Sequence, residues 1–96
     1  MAKKLEAVIE NEVVSRAERA NLLVRKMTYP GRRGAPDRMF VGTNIGVVFM
    51  EFKRPGGIQS GLQKREQKAL KERGAKCYCV DNVKEACEIL GLPFEE

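Results

Sequence analysis

Apolar positions recur along this chain with two different periods, and the switches between them mark out seven elements. Leu5, Val8, Ile9, Val13 and Ala20 fall close to a 3.6-residue period, which predicts an amphipathic helix over residues 4–20. Residues 22–28 (LLVRKMT) read as a first strand. Residues 29–36 (YPGRRGAP) cannot continue it, because they hold two prolines and two glycines. This loop is basic and expected to stay mobile until a ligand binds. Met39-Phe40-Val41 and Val47-Val48-Phe49-Met50 are β-rich runs joined by Gly42-Thr43-Asn44-Ile45-Gly46, the pattern of a hairpin over residues 38–53. Both faces of residues 47–52 are apolar, as suits a central strand covered on both sides.

Pro55-Gly56-Gly57 then breaks the chain. Leu62, Ala69 and Leu70, with polar residues between them, predict a helix over 60–73, with Ser60 as N-cap and Gly74 just past its end. Cys77-Tyr78-Cys79-Val80 is a short strand. Asp81 or Asn82 caps a last helix from Val83 to Leu90, closed by Gly91-Leu92-Pro93. The order α-β-β-β-α-β-α has no repeat and no linker, so residues 1–96 are read as one α/β domain. A hairpin followed by a helical crossover into another strand implies a mixed sheet flanked by helices.

Composition changes this picture in two places. The chain has 96 residues, 43% hydrophobic and 32% charged, which suits one globular domain with one modest core. No apolar run approaches the roughly 20 residues of a membrane span, and the N-terminus lacks the apolar stretch of a secretory signal. Cys77, Cys79 and Cys87, with no histidine in the chain, make a poor zinc set. They are read as small buried apolar residues in a reducing cytoplasm. The net charge of +5 is unevenly spread: residues 1–24 sum to zero, 25–76 to +9 and 77–96 to −4. Such a basic middle attracts a polyanion like a nucleic-acid backbone, although a basic helix such as 64–76 is as often merely solvated.

The candidate chemistry lies in that basic middle. Pro36-Asp37 stands at the mouth of one hairpin strand, and the other ends in Glu51-Phe52-Lys53. Residues two apart share a strand face, so Glu51 and Lys53 project together while Phe52 points away. Two carboxylates converging at a sheet end repel unless a cation sits between them. A hard cation such as Mg²⁺ fits a partial oxygen cage, which the sideways-pointing carbonyl of Phe52 could complete. Lys53 could orient an attacking water or stabilise charge on a phosphate. The bland alternative is a salt-bridged strand end. On the first helix Glu6 and Glu10 lie one turn apart on the shoulder of the apolar stripe, and periodicity does not choose between them.

Asp37 followed by Glu51-x-Lys53 is the PD-(D/E)xK pattern of metal-dependent nucleases. The longer runs 30–38 (PGRRGAPDR) and 48–57 (VFMEFKRPGG), followed by Gln63, resemble the virus-type replication–repair nuclease (VRR-NUC) domain over nearly the whole chain. The resemblance is to its small stand-alone phage members. It implies a restriction-endonuclease-like αβββαβ core with a C-terminal helix, and Mg²⁺- or Mn²⁺-dependent hydrolysis of phosphodiesters. It further implies branched or flap DNA, such as Holliday junctions, as substrate, and a homodimer. Carried over residue by residue, Asp37 and Glu51 are metal ligands and Lys53 the catalytic lysine. Glu10 is the helix-borne acidic residue and a further candidate ligand, with Glu6 the alternative register, and Gln63 is the helix glutamine beside the site. Arg32, Arg33, Arg38, Arg54, Lys64 and Lys68 are candidate phosphate contacts, as they would also be in a non-catalytic nucleic-acid-binding domain on the same fold. A pure binder has no need of Asp37, Glu51 and Lys53 together.

Overall fold

A computed structural model describes residues 2–95, with side chains from residue 5. Three helices and four strands follow in the expected order: α1 (Ala2–Arg19), β1 (Leu23–Lys26), β2 (Arg38–Gly42), β3 (Gly46–Phe52), α2 (Gly61–Glu72), β4 (Lys76–Val80) and α3 (Val83–Leu90). They form one four-stranded sheet in the order β1-β2-β3-β4. β1, β2 and β3 run antiparallel, and β4 joins β3 in parallel after the α2 crossover. The mixed sheet is therefore as the sequence predicts.

Local signals explain where the elements stop. Asn21, at φ 67°, takes the left-handed position that ends α1, with Leu22 N–H donating back to the Ala17 carbonyl at 2.9 Å. The hairpin pairs Gly42 with Gly46 across residues 43–45, and Gly46 at φ 72° supplies the left-handed residue such a turn needs. Ser60 and Gln63 close a full capping box at the start of α2. Asn82, rather than Asp81, caps α3 by accepting from Glu85 N–H at 2.8 Å.

The core lies on one side of the sheet. Val13 and Ala17 of α1 and Ala86 and Leu90 of α3 pack on Val24, Phe40, Val48, Met50, Phe52 and Val80. Burying an apolar side chain of this size is worth about 1.5–3 kcal/mol. A one-residue slip of β3 would exchange Met50 and Phe52 for Glu51 and Lys53 in that core, so packing alone fixes the register. The opposite face differs from the expectation of full cover. Val47 is 45% exposed there, and α2 contributes no fully buried residue. Half of α2's residues are charged, and the helix packs chiefly against β4. The apolar stripe of α1 is also longer than its packed face: Leu5 and Val8 are exposed, and Ala20 lies beyond the helix end.

Candidate active site

The half-covered face presents the predicted carboxylates. Arg38 pairs with Met50 across β2 and β3, so Asp37, one residue earlier, stands level with Glu51. Pro36 is buried and has no N–H to extend the ladder, which releases the chain here. Asp37 is then held from both sides. Its carbonyl accepts from Met27 N–H at 3.0 Å, and its Oδ2 accepts from Phe52 N–H at 2.7 Å. A strand residue's N–H and C=O point to the same side, so the Phe52 carbonyl is directed toward the Asp37 edge.

Glu51 is the only buried charged residue among those described, at 4% exposure. It lies beside Cys79 in the parallel register, and its Oε2 accepts from Gln59 Nε2 at 2.9 Å. Lys53, two residues on, shares its face, and its N–H is tied to the Val80 carbonyl at 2.9 Å. Immediately after it, Arg54–Gly57 forms a tight turn in which Gly57 N–H donates to Arg54 O at 2.8 Å. Gly56, at φ 76°, is the residue this turn requires after Pro55. The turn sends the chain back so that Gln59 meets Glu51.

Burial pushes the carboxyls of both Asp37 and Glu51 above their ordinary range. For Asp37 the Phe52 N–H opposes this most and Lys53 opposes it further, while repulsion from Glu10 and, more weakly, from Glu6 adds to it. For Glu51 the Gln59 amide opposes burial, Asp37 adds repulsion, Lys53 attracts and Glu6 repels. These acids are held together at an electrostatic cost, and Lys53 relieves it only in part.

That chemistry suits a divalent cation. Each carboxylate has one oxygen tied to the scaffold by a donor, Oδ2 of Asp37 and Oε2 of Glu51, and a cation would remove both burial and repulsion penalties. Among the described residues no three His, Cys, Asp or Glu side chains make a metal cage alone. A two-carboxylate set fits an ion such as Mg²⁺, which keeps waters and takes phosphate oxygens.

The other predicted residues divide. Glu10 pairs with Arg38, Oε2 to Nε at 2.6 Å, so two candidates from different roles neutralise one another. Of the two helix acids, Glu10 repels Asp37 more strongly than Glu6 does, whereas Glu6 also repels Glu51. The Gln63 side chain accepts from Ser60 N–H at 2.9 Å in the capping box, and the glutamine that touches Glu51 is Gln59. Arg33, Arg54, Lys64 and Lys68 are exposed. Arg32 is drawn to Glu66 at 3.6 Å and lies over the Tyr29 ring at 5.9 Å.

The loop that carries Arg32 and Arg33 is thus tied down rather than free. Tyr29 donates to Glu66 Oε2 at 2.7 Å, and burial with this bond pushes its phenol up to about 12. Gly34 lies so close to α2 that a Cβ there would stand 3.0 Å from the Leu62 carbonyl oxygen. Sequence reasoning missed this tie, and it also missed Gln59, Gln67 and the partial exposure of Cys79, while Cys77 and Cys87 are buried as expected. Ser60-x-x-Gln63 was the signal that Gln63 is engaged in capping. Cys77 is buried, but Cys79 is only half-buried beside Glu51, and burial pushes both thiols up to about 11.

No family model matches the chain. It is 34% identical over 74 residues to the "Putative nuclease p44" of Acyrthosiphon pisum secondary endosymbiont phage 1, covering 77% of this chain and 80% of that one. It superposes on a solved structure described as "VRR_NUC domain" with a TM-score of 0.81 and 29% identity, over 91% of this chain and 95% of the other. With that fold, Asp37 and Glu51 level on adjacent strands and Lys53 on Glu51's face, the chain belongs to the virus-type replication–repair nuclease (VRR-NUC) family.

Proposed function

We propose that this nuclease is a divalent-metal-dependent endonuclease that cuts branched DNA, four-way junctions or flaps, as a homodimer. Mg²⁺ or Mn²⁺ would be its cofactor, and the cytoplasm of a bacterium or phage-infected cell its place of action. The observation that carries this reading is the pair Asp37 and Glu51, held by Phe52 N–H and Gln59 with Lys53 beside them. Asp37, Glu51 and the Phe52 carbonyl would hold the cation, with Glu10 or Glu6 of α1 as a further acidic group. When bound, the cation supplies Lewis acidity toward the scissile phosphate and acidifies a coordinated water.

The chain's own residues do the rest. Lys53 orients the attacking water and meets the negative charge that develops on the phosphate. Gln63 contributes indirectly, by closing the capping box that fixes the N-terminus of α2 next to Gln59. Arg33, Arg54, Lys64 and Lys68 contact the backbone phosphates on either side of the cleavage point, and Arg32 and Arg38 join them where DNA draws them from Glu66 and Glu10. A binding module without chemistry would leave the electrostatic cost of Asp37 and Glu51 unexplained.

The test is cleavage of labelled linear, flap and four-way-junction DNA with and without Mg²⁺ or Mn²⁺. Asp37→Asn and Glu51→Gln are expected to abolish cleavage, and Lys53→Ala to slow single-turnover cleavage by roughly two orders of magnitude while sparing affinity. Ca²⁺ should support binding without efficient hydrolysis. Wild-type cleavage rates in either carboxylate variant, or full activity in chelator, would overturn the assignment.

A further inference from the structure

Glu51 does not meet its glutamine in isolation. The Gln59 side-chain nitrogen donates both to Glu51 Oε2, at 2.9 Å, and to Gln67 Oε1, at 2.6 Å. The Gln67 nitrogen in turn donates to the main-chain carbonyl of Cys77 at 3.2 Å. This chain has a fixed sense. A backbone carbonyl can only accept, so Gln67 must turn its NH₂ toward β4 and its oxygen toward Gln59. Gln59 must then turn its NH₂ outward, which gives Glu51 a donor rather than a repelling carbonyl. Cys77 lies two residues before Cys79, the β4 partner of Glu51, so the relay begins and ends on adjacent strands of one sheet.

Resting on the reading of Glu51 as a metal ligand, we propose that Gln59 and Gln67 are positioning residues for the cation site. They form an amide relay from the β4 backbone that fixes which Glu51 oxygen is tied to the scaffold and which faces the cation. The competing account is plain docking of α2. It has substance, because α2 buries no side chain fully and must be held by polar links such as these. The two accounts differ in what they predict for metal binding when the fold is intact.

The experiment titrates the full chain with Mn²⁺, following the loss of the free-ion electron paramagnetic resonance signal, and records the melting temperature of each variant without metal. Gln59→Met keeps the length of the side chain but removes the donor. It should weaken Mn²⁺ binding by about 10-fold or more, in the range usual for lost outer-shell partners of metal ligands. Gln67→Met, which leaves Gln59 present but free to turn, should weaken it less. The double variant should be no worse than Gln59→Met alone, because Gln67 acts only through Gln59. Gln59→Asn, whose amide is one carbon short of Glu51, should behave like Gln59→Met and serves if that variant fails to fold.

DNA affinity in Ca²⁺ at saturating ion should be unchanged in all of them. Wild-type Mn²⁺ affinity in Gln59→Met or Gln59→Asn, or additive losses in the double variant, would overturn the relay. Affinity that falls only in step with melting temperature would assign the glutamines to docking instead. If Glu51→Gln itself binds Mn²⁺ as wild type does, the ligand reading of Glu51 fails and the relay falls with it. Loss in Glu51→Gln but not in the glutamine variants sinks the relay alone.

Discussion

Asp37 is a charge held where the fold would rather have none. Its folded carboxyl titrates above the ordinary value of 3.8 because burial, then Glu10 and Glu6, outweigh the Phe52 N–H and Lys53. The stability consequence has a definite sign. An acid whose pKa is raised by folding contributes its stability below the unfolded pKa, and loses it as pH rises through the folded value. At neutral pH without metal, ionised Asp37 therefore destabilises the protein. Asp37→Asn keeps an oxygen for Phe52 N–H but carries no charge, so it should melt higher than wild type in chelator. A gain near 1 kcal/mol would be about 4–8 °C in a domain of this size. The gap should narrow as pH falls toward the carboxylate range, and on adding Mg²⁺ to wild type. Melting curves from pH 8 to pH 5 check this, and a lower melting point for Asp37→Asn at pH 8 would contradict it. Asp37, Glu51 and Lys53 were readable from spacing because strand geometry converts spacing directly into a shared face. Gln59 was not, since its reach to Glu51 depends on how the Arg54–Gly57 turn redirects the chain.

Elements were legible where their ends carry local chemistry. Ser60, Asn82, Gly74 and Gly91 each mark a boundary through a side-chain cap or a left-handed backbone position, both of which are properties of a few adjacent residues. The 29–36 loop was less legible, because what restrains it comes from 37 residues away. Tyr29 and Glu66 have no sequence relation that announces their bond. This tie changes the expected division of labour between the two loop arginines. Glu66 already partly neutralises Arg32, whereas Arg33 is exposed. Arg33→Ala should weaken binding to every DNA tested and reduce the log–log salt slope by about 0.9, the value of one phosphate contact. Arg32→Ala should change the slope less. Binding isotherms across a salt series measure both, and a larger slope change for Arg32→Ala would show that DNA displaces Glu66. In neither variant should cleavage at saturating DNA fall.

At the scale of the whole molecule the domain is a slab of 35 × 33 × 21 Å with one carboxylate pair. One such site can cut one strand at a time, and resolving a four-way junction needs two cuts at a fixed separation. The apolar surface left over also suits a second copy: Leu23 and Val47, on either side of Val41, are 46% and 45% exposed on the half-covered sheet. A two-fold pair would bury such patches identically on both chains and present two sites to two strands. If the enzyme acts as that pair, wild-type protein mixed with an excess of Glu51→Gln will sit mainly in mixed dimers with one working site. Four-way junctions should then be nicked rather than resolved, and added wild-type protein should restore resolution. Sedimentation in the same buffer should show dimer. Paired cuts by a species that sediments only as monomer at cleavage-competent concentration would refute the dimer. The nuclease chemistry would be untouched, because Asp37, Glu51 and Lys53 all come from one chain.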